Sequence, residues 1–348
     1  MSVIADLRSD TVTRPTAAMR AAMMAAPLGD DVFGDDPSVF ALQDKLAAML
    51  GFEAALFVAS GTQSNLCAIL AHCQRGDEYI VGQLAHCYRW EGGGAAVFGS
   101  VQPQPITHQA DGTLLLADIA AAIKPDDAHF ARSRLLALEN TLGGKLIPFD
   151  YIVAATALAK ANHLQTHLDG ARLFNAATVQ AAQTGTGVET EARRIAQCFD
   201  SVSVCLSKGL GAPVGSVLCG SAELIARAHR VRKMAGGGMR QAGLLAAAGS
   251  YALDHHVSRL AADHALAQRL ADGLSEVPGL SVEPPQSNIV FVDLIGAAAE
   301  RSAELLSYLT AQNILATGLY RLRFVTHLDV TEADIDRTIA SIRTFFKT

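Results

Sequence analysis

The fold of this chain is decided by the stretch Phe199-Asp200-Ser201-Val202-Ser203-Val204-Cys205-Leu206-Ser207-Lys208-Gly209-Leu210-Gly211. Its first eight residues alternate and include β-branched side chains, a pattern that predicts a buried strand. Lys208 then stands just beyond the strand end, and the glycines after it let other atoms approach the backbone closely. Burial lowers the pKa of a lysine amine, and a neutral amine attacks carbonyl carbon to form a Schiff base. The alternative is an ordinary surface lysine in a glycine-rich turn.

Outward from this stretch, short apolar runs alternate with longer amphipathic segments. We predict strands over residues 54–59, 79–81, 135–138, 164–168, 202–206 and 214–219. We predict helices over residues 38–50, 62–73, 150–161 and 222–234. This alternation predicts an α/β fold with a mostly parallel sheet that helices cover on both faces. Ligands of such sheets bind at the carboxyl ends of the strands.

Beyond the triple glycine at residues 236–238 the pattern changes. A long Ala- and Leu-rich stretch over residues 239–274 predicts one helix that leaves the sheet. Further strands are predicted over residues 288–294 and 322–325, with a helix over 300–311 between them and a capping box at 331–334 that opens a last helix. We therefore predict three parts, which are an irregular amino-terminal arm (1–18), a large cofactor-binding domain (19–250) and a small α+β carboxyl-terminal domain (251–348).

Composition restricts the partners of the chain. Among 348 residues 50% are hydrophobic and 18% charged, the net charge is −6, and no block of lysine and arginine stands out. We therefore expect small-molecule partners and no nucleic acid. No apolar run is long enough to span a bilayer, and residues 1–10 lack the apolar segment of a signal peptide. These features predict no membrane partner and a cytoplasmic location.

Neither a metal site nor a disulfide framework is predicted. The six cysteines form no C-x-x-C pair, and several lie within apolar runs, as reduced core thiols do. His255, His256 and His264 could share one helix face, but no cysteine ligand is near them in the sequence. We therefore predict that these histidines lie on a solvated helix.

Asp169 ends another predicted strand, in the segment His167-Leu168-Asp169-Gly170-Ala171-Arg172. A carboxylate at one strand end and a lysine at another can face each other across a cofactor ring. The acid then keeps the ring nitrogen protonated while the amine binds the aldehyde, as in pyridoxal phosphate enzymes. Taken alone, Asp169 is explained as well by a helix N-cap or a salt bridge.

A phosphate site is predicted at Ser60-Gly61-Thr62-Gln63, where a strand passes into a helix. Free backbone N–H groups and the helix dipole favour an anion there, and Gly61 allows close approach. An ordinary helix cap explains the same residues when they are considered alone.

Together these segments resemble the low-specificity L-threonine aldolases, a family of fold-type I pyridoxal phosphate enzymes. The resemblance covers essentially the whole chain, and its segments are residues 6–13 (DLRSDTVT), 29–37 (GDDVFGDDP), 60–65 (SGTQSN), 84–86 (LAH), 138–141 (LENT), 169–172 (DGAR), 207–211 (SKGLG), 236–241 (GGGMRQ) and 325–329 (VTHLD). It implies a large domain with a mostly parallel seven-stranded sheet covered by helices, plus a smaller α+β domain.

The resemblance also implies roles at the cofactor. Lys208 would bind the cofactor aldehyde and Asp169 the ring nitrogen, while His86 would stack on the ring and take the proton of the substrate β-hydroxyl, directly or through a water. A hydrogen-bonded loop histidine is the alternative for His86. The implied cofactor-binding set is Gly61, Thr62, His86, Asp169, Arg172, Ser207, Lys208, Lys233 and Arg240.

The substrate α-carboxylate must be held so that the Cα–Cβ bond stands perpendicular to the ring, and arginine holds a carboxylate bidentately. The resemblance assigns this task to Arg323, with Ser9 and Arg172 as helpers, and Arg321 on the same strand face competes with it. His129 would act near the β-substituent as a further catalytic and substrate-binding residue. A partly exposed loop histidine is its alternative.

Lys233 and Arg240 flank the triple glycine, a segment that in related enzymes reaches the cofactor phosphate of the neighbouring subunit. The resemblance therefore implies a homo-oligomer with shared active sites, a tetramer built from dimers. Two positions depart from the family pattern. Leu142 stands where many relatives have histidine, and Cys87 where asparagine is common.

The predicted function is retro-aldol cleavage of L-threonine and L-allo-threonine to glycine and acetaldehyde. A β-eliminating lyase or an aminotransferase on the same fold is the nearest alternative. A dinucleotide-dependent oxidoreductase fits the alternation alone, but no G-x-G-x-x-G follows the first strand. A non-catalytic binding protein is disfavoured because lysine, aspartate and histidine are all retained.

Overall fold

The computed structural model describes residues 5–318 and 321–347, so the first four residues of the predicted arm lie outside it. The strands are β1 (Ala5–Asp6), β2 (Ala54–Val58), β3 (Asp77–Gly82), β4 (Gln102–Ile106), β5 (Arg132–Glu139), β6 (Gln165–Gly170), β7 (Ser201–Cys205), β8 (Ser216–Gly220), β9 (Leu280–Val282), β10 (Ile289–Leu294), β11 (Ile314–Leu315) and β12 (Leu322–Val325). The helices are α1 (Ala17–Met24), α2 (Pro37–Leu50), α3 (Gly61–His72), α4 (His86–Arg89), α5 (Gly94–Gly99), α6 (Leu116–Ala122), α7 (Phe149–Ala161), α8 (Leu173–Thr184), α9 (Val188–Ala196), α10 (Ala222–Met234), α11 (Gly243–His255), α12 (Leu260–Ser275), α13 (Ser302–Ala311) and α14 (Glu332–Phe345).

The central sheet has seven strands in the order β2-β8-β7-β6-β5-β3-β4. β8 runs antiparallel to both neighbours, and the other pairs are parallel. The predicted α/β fold with a mostly parallel seven-stranded sheet is thereby confirmed. The register pairs Glu139 with Asp169 and Asp169 with Ser203. Three polar side chains therefore stand in one row near the carboxyl ends of β5, β6 and β7, on the same face of the sheet.

Helices cover both faces of this sheet because successive side chains of each strand alternate between two cores. One core joins the sheet to α1, α2, α7, α8, α9 and α11. On the other face, α3 and α10 pack on Leu56, Val58 and Leu218, and α3 and α5 pack on Leu135 and Ala137. The polar row faces α3, since Ala137 and Glu139 lie two residues apart on β5.

The sequence did not reveal β4, which reads Gln102-Pro103-Gln104-Pro105-Ile106. Proline lacks the N–H that a sheet ladder needs and is confined to edge strands. Among the described strands β4 pairs with β3 alone, so it is an edge strand. The edge position therefore tolerates the two prolines, and these prolines are why the sequence pattern did not predict a strand there.

The prediction of one helix over residues 239–274 is wrong, because the structure has two helices, α11 and α12, separated by a turn. At the turn His256 is buried, and its Nδ1 donates to the carbonyl of Leu210, 2.7 Å away. This bond fixes the end of α11 against the loop that carries Lys208. His264 is half-buried and its Nε2 contacts Nδ2 of Asn175, whereas His255 is exposed, so the predicted solvated histidine face holds for His255 but not for His256 or His264.

The carboxyl-terminal residues form a second layer around the antiparallel sheet β12-β10-β9. α12 and α14 pack together against it, and the predicted capping box is present at Thr331 and Asp334. β1 of the amino-terminal arm pairs with β11. The domain limits stay a prediction. Residue 250 falls within α11, and we propose that the division lies at the turn between α11 and α12.

Among the described helices none has both the length and the apolar character that crossing a membrane requires.

Candidate active site

The centre of the site is Asp169, at the carboxyl end of β6 and 3% exposed. Its Oδ2 accepts a hydrogen bond from Nδ2 of Asn65 at 2.8 Å, and its Oδ1 accepts one from the backbone N–H of Ala171 at 3.1 Å. These two bonds orient the carboxylate. On the next strand Ser203 stands beside it, with a buried hydroxyl that has no hydrogen-bond partner among the described residues.

Lys208 follows β7, three residues beyond its last residue, and is half-buried. Its backbone carbonyl accepts hydrogen bonds from Oγ1 of Thr13 at 3.0 Å and from the N–H of Gly211 at 2.8 Å. Within the described part of the chain, its amine has no hydrogen-bond or ion-pair partner. The backbone of the loop is therefore held from both sides while the amine is left available.

The predicted phosphate site lies at the first turn of α3. Oγ of Ser60 caps the helix by accepting from the N–H of Gln63 at 3.2 Å. The first N–H groups of a helix have no intrahelical acceptor and favour an anion. A Cβ atom on Gly61 would lie 2.7 Å from Sγ of Cys205, so only glycine fits there without displacing its neighbours. The half-buried Ser207 lies in the loop that follows β7.

His86 opens α4 and contacts two carboxyl groups. Its Nδ1 lies 2.7 Å from Oε1 of Glu91, and its backbone N–H donates to Oε2 of Glu139 at 2.7 Å. The hydrogen bond to Glu91 raises the pKa of His86 above its ordinary value. Ligand-type atoms of His86, Glu91 and Asp169 all lie within 4.8 Å of one another, so the imidazole stands beside the carboxylate that ends β6.

Glu139 is a second carboxyl group of unusual character. It neighbours Asp169 across the β5–β6 pair, and burial together with the charge of Asp169 raises the pKa of Glu139 to about 7. Glu139 therefore keeps its proton to a higher pH than an ordinary glutamate does.

A buried ion pair lies beside this row. Nε and Nη2 of Arg172 donate to both oxygens of Asp10 at 2.8 and 2.7 Å, and Asn288 donates to Asp10 as well. Burial alone would raise the pKa of Asp10, but the charge and hydrogen bonds of Arg172 outweigh it and hold that pKa well below its usual range. The ion pair fixes the amino-terminal arm, including Ser9, against the end of β6.

The structure separates the two arginines that compete for the substrate carboxylate. Arg321 is engaged by two acids, Asp293 and Glu283. Nη2 of Arg323 donates to the carbonyl of Arg8 at 3.0 Å, and its buried Nε has no partner among the described residues. Burial and the charge of Arg172 lower the pKa of Arg323.

Three predicted site residues, His129, Lys233 and Arg240, make their described contacts outside this cluster. His129 is exposed in the loop before β5, and its Nδ1 contacts Asp127 at 2.6 Å. Arg240 pairs with Asp30, and Lys233 lies against Gly238.

The two departures from the family pattern are both buried. Cys87 packs in the apolar cluster that includes Tyr79 and Ala95, and Leu142 lies against Gly112. Burial raises the pKa of the Cys87 thiol well above its ordinary value, so this side chain is an inert core thiol.

Sequence reasoning missed four residues of the site, which are Asp10, Asn65, Glu91 and Glu139. Asp10, Asn65 and Glu139 stand inside motif segments that carry the family resemblance. For Glu91 the available signal was its position five residues after His86, at the start of a glycine run.

The residues present fit pyridoxal phosphate. The site offers an unpaired amine at Lys208, a carboxylate at Asp169, a helix amino terminus for the phosphate and an unpartnered buried hydroxyl at Ser203. Lys208 would hold the aldehyde carbon, Asp169 the ring nitrogen, and the first turn of α3 the phosphate.

The fold and this site define a pyridoxal phosphate-dependent enzyme of fold type I. Residues 6–297 match the beta-eliminating lyase family. The chain is 52% identical over 340 residues to the low specificity L-threonine aldolase of Escherichia coli strain K12, covering 98% of both proteins. It is 42% identical over 345 residues to the low-specificity L-threonine aldolase 1 of Arabidopsis thaliana, covering 96% of this chain and 94% of the relative. The chain therefore belongs to the beta-eliminating lyase family and, within it, to the low-specificity L-threonine aldolases.

A solved structure of the threonine aldolase of Leishmania major has the same fold. It matches with a TM-score of 0.81 at 22% identity and covers 98% of this chain and 99% of its own. The comparisons confirm the resemblance seen in the sequence, and with it the predictions of a lyase and of pyridoxal phosphate as its cofactor.

Proposed function

We propose that this chain cleaves the Cα–Cβ bond of L-threonine and L-allo-threonine to give glycine and acetaldehyde. The observation that carries the proposal is that the His86 imidazole lies beside the Asp169 carboxylate at the carboxyl ends of the parallel strands, with the Lys208 amine near enough for its charge to act on His86 and Asp10. Bound pyridoxal phosphate supplies an electron sink for the bond that breaks. The protein supplies orientation, a proton acceptor and a fixed negative charge.

The buried carboxylate of Asp169 places a negative charge where the ring nitrogen would lie. Asn65 and Ala171 hold both of its oxygens, so the charge is fixed in position before substrate arrives. Such preorganisation costs no rearrangement during the reaction.

Arg323 is proposed to hold the substrate α-carboxylate. Its buried Nε lacks a partner among the described residues. The guanidinium groups of Arg323 and Arg172 are near each other, and Asp10 is the acid that acts on both. A second carboxylate, that of the substrate, complements this excess of positive charge. Arg172 binds Asp10, and Arg323 donates to the carbonyl of Arg8, so Ser9 stands between two residues that these arginines contact. We propose that Arg172 and Ser9 both help to orient the substrate.

We expect Arg323→Lys to raise the KM for L-threonine by about 10-fold or more, because lysine cannot form the bidentate contact. Arg321→Lys is the matched control, two residues earlier and just before β12, and its KM should stay within about twofold of wild type because its partners are Asp293 and Glu283. Steady-state kinetics of aldehyde release measures both. A raised KM in the control alone would transfer the role to Arg321.

His86 is proposed to accept the proton of the β-hydroxyl. With Nδ1 hydrogen-bonded to Glu91, the lone pair of Nε2 remains free for this task. We expect His86→Ala to lower kcat about 100-fold while the cofactor stays bound, with the exposed His255→Ala as control. Unchanged turnover would remove His86 from the mechanism.

The same role predicts how activity depends on pH. A proton acceptor must be neutral, so kcat/KM should be full above the pKa of His86 and fall as the pH drops through it. Because Glu91 raises that pKa, the fall should begin above the range of an unpaired imidazole, about 6.5. In Glu91→Gln the fall should move to lower pH, as a pH profile of kcat/KM would show.

Preference at the β-carbon is proposed to be relaxed, with His129 near the β-substituent. The test is a kinetic comparison of L-threonine, L-allo-threonine and L-phenylserine with the purified holoenzyme, with product analysis. Release of aldehyde and glycine supports the proposal. Pyruvate formation or amino-group transfer to a keto acid in place of aldehyde would overturn it.

The active form is proposed to be a tetramer built from dimers with shared sites. Phe33 and Met234 are 78% and 76% exposed, and the segments that carry them touch where the N–H of Asp31 donates to the carbonyl of Arg240. Exposed apolar side chains grouped in this way are typical of subunit contacts. Lys233 and Arg240 would then reach the phosphate of the neighbouring subunit. Sedimentation of the holoenzyme measures the mass of the assembly. A cofactor titration of Arg240→Ala measures whether the cofactor affinity falls.

A cytoplasmic location is proposed as well. All six cysteines are free, five of them buried, as expected in a reducing compartment. Cell fractionation tests this.

A further inference from the structure

A line of polar side chains, all buried except the half-buried His72, runs between α3 and the sheet, behind the active site. Asn65 and His72 lie two turns apart on the same face of α3. Opposite them, on the sheet, stand His167 and Ser201. Hydrogen bonds join the four in the order His72, Ser201, His167 and Asn65, with lengths of 2.7, 2.8 and 3.1 Å.

Asn65 ends this line by contacting both carboxylates of the site. Its Nδ2 lies 2.8 Å from Oδ2 of Asp169 and 2.8 Å from Oε1 of Glu91. The same Oε1 of Glu91 accepts from His86. One amide group therefore connects the carboxylate proposed for the ring nitrogen with the carboxylate that holds the imidazole.

Each hydrogen bond in the line has one possible direction. Two carboxylates require the NH₂ group of Asn65 as donor, which leaves its Oδ1 as an acceptor for Nε2–H of His167. Burial lowers the pKa of His167 to about 4 and that of His72 to about 3, so both rings are neutral. Nδ1 of His167 therefore accepts from the hydroxyl of Ser201, which in turn accepts from Nε2–H of His72.

The line determines which way the Asn65 amide faces. If the amide turned over, its carbonyl oxygen would meet two carboxylates and its NH₂ group would meet the N–H of His167. A fully satisfied buried network of this kind specifies one arrangement, because each unpaired group would be costly.

We propose that Asn65 is a positioning residue, set by the buried line from His72, that aligns Asp169 and the Glu91–His86 pair for the reaction. This inference rests on the proposed function, since it assigns Asp169 and His86 to one reaction. Without the NH₂ group of Asn65, Asp169 loses one of its two fixed hydrogen bonds, and the two carboxylates face each other without a shared donor.

The test compares Asn65→Leu and Asn65→Asp with Ser64→Ala, a control on the same helix whose buried hydroxyl has no partner among the described residues. The leucine variant keeps the volume and removes the donor. The aspartate variant keeps the shape and replaces the donor with an acceptor. Measurements are kcat and KM for L-threonine, the pH profile of kcat/KM, the pH titration of the visible absorption of the bound cofactor, cofactor affinity and Tm.

We expect Asn65→Leu to lower kcat about 10- to 100-fold per bound cofactor, with KM within about threefold of wild type. The pH midpoint of the visible absorption should move by about 0.5 unit or more. The control should match wild type in both.

In Asn65→Asp the pH profile should change its direction. Wild-type kcat/KM falls as the pH drops, whereas the variant should regain activity over part of that range, because protonation of the introduced carboxyl restores a donor. The charged groups that face this position are His86 on α4, Glu91 after it, Glu139 on β5, Asp169 on β6 and Lys208 after β7. They are the same in all variants, so the difference reports the substituted residue.

Two outcomes overturn the inference while leaving the proposed function intact. One is wild-type kcat, pH profile and absorption in both variants. The other is a lowered Tm or cofactor affinity with unchanged kcat per bound cofactor, which would show a structural role only. Should the leucine variant not fold, the aspartate variant decides by its pH profile. If the wild-type enzyme releases no aldehyde, the proposed function fails instead.

Discussion

Replacing Lys208 with alanine should lower kcat by at least about 10⁴-fold, the largest loss that we expect from a single substitution. The amine of Lys208 has no hydrogen-bond or ion-pair partner in the described residues, while Thr13 and Gly211 hold its backbone carbonyl. The loop should therefore keep its shape when the side chain is removed. We expect the variant to fold with a near-normal Tm and to lose the covalent link to the cofactor.

The link itself can be measured. Borohydride reduction of the wild-type holoenzyme, followed by digestion and mass spectrometry, should find the cofactor on the peptide that contains residue 208. Lys233→Ala is the matched control, since Lys233 is the other lysine predicted at the cofactor. It should keep the reducible link. Attachment of the cofactor at any other lysine would contradict the assignment.

The sequence sufficed to predict six strands of the seven-stranded sheet and the site residues at the ends of two of them. A buried strand shows itself in one short segment, so Lys208 and Asp169 could be placed at strand ends from local pattern alone. The edge strand β4 could not, because its prolines contradict a strand pattern that only its position at the edge permits.

The break between α11 and α12 could not be predicted from the sequence either. It depends on a hydrogen bond from His256 to Leu210, 46 residues earlier in the chain. A helical pattern read along the sequence contains no information about such a partner.

The supporting residues of the site were missed for the same physical reason. Asn65 contacts Asp169 across 104 residues, and Arg172 contacts Asp10 across 162. Each of these residues is ordinary in its own segment. Their role comes from tertiary contacts, and the structure also separates Arg323 from Arg321 by showing which of them is already paired with acids.

Replacing Asp169 should produce the second largest loss. We expect Asp169→Ala to lower kcat about 10²- to 10³-fold, equivalent to about 3 to 4 kcal/mol of transition-state stabilisation, because it removes the fixed charge at the ring nitrogen. The carboxylate is almost fully buried, so solvent cannot replace it. Asp169→Asn keeps the shape and an oxygen for the Asn65 hydrogen bond, and should lose nearly as much if charge is what matters.

The matched control for the asparagine variant is Asp200→Asn, which makes the same chemical change near the opposite end of β6 and β7. Oδ2 of Asp200 accepts from the N–H and the hydroxyl of Thr166, and one asparagine oxygen can accept both bonds. We expect this control to keep kcat within about twofold of wild type, with a small change in Tm. Turnover is measured by acetaldehyde release at saturating cofactor, and cofactor binding by visible absorption. If Asp169→Asn retained wild-type kcat with the cofactor bound, the negative charge at the end of β6 would have no part in the cleavage.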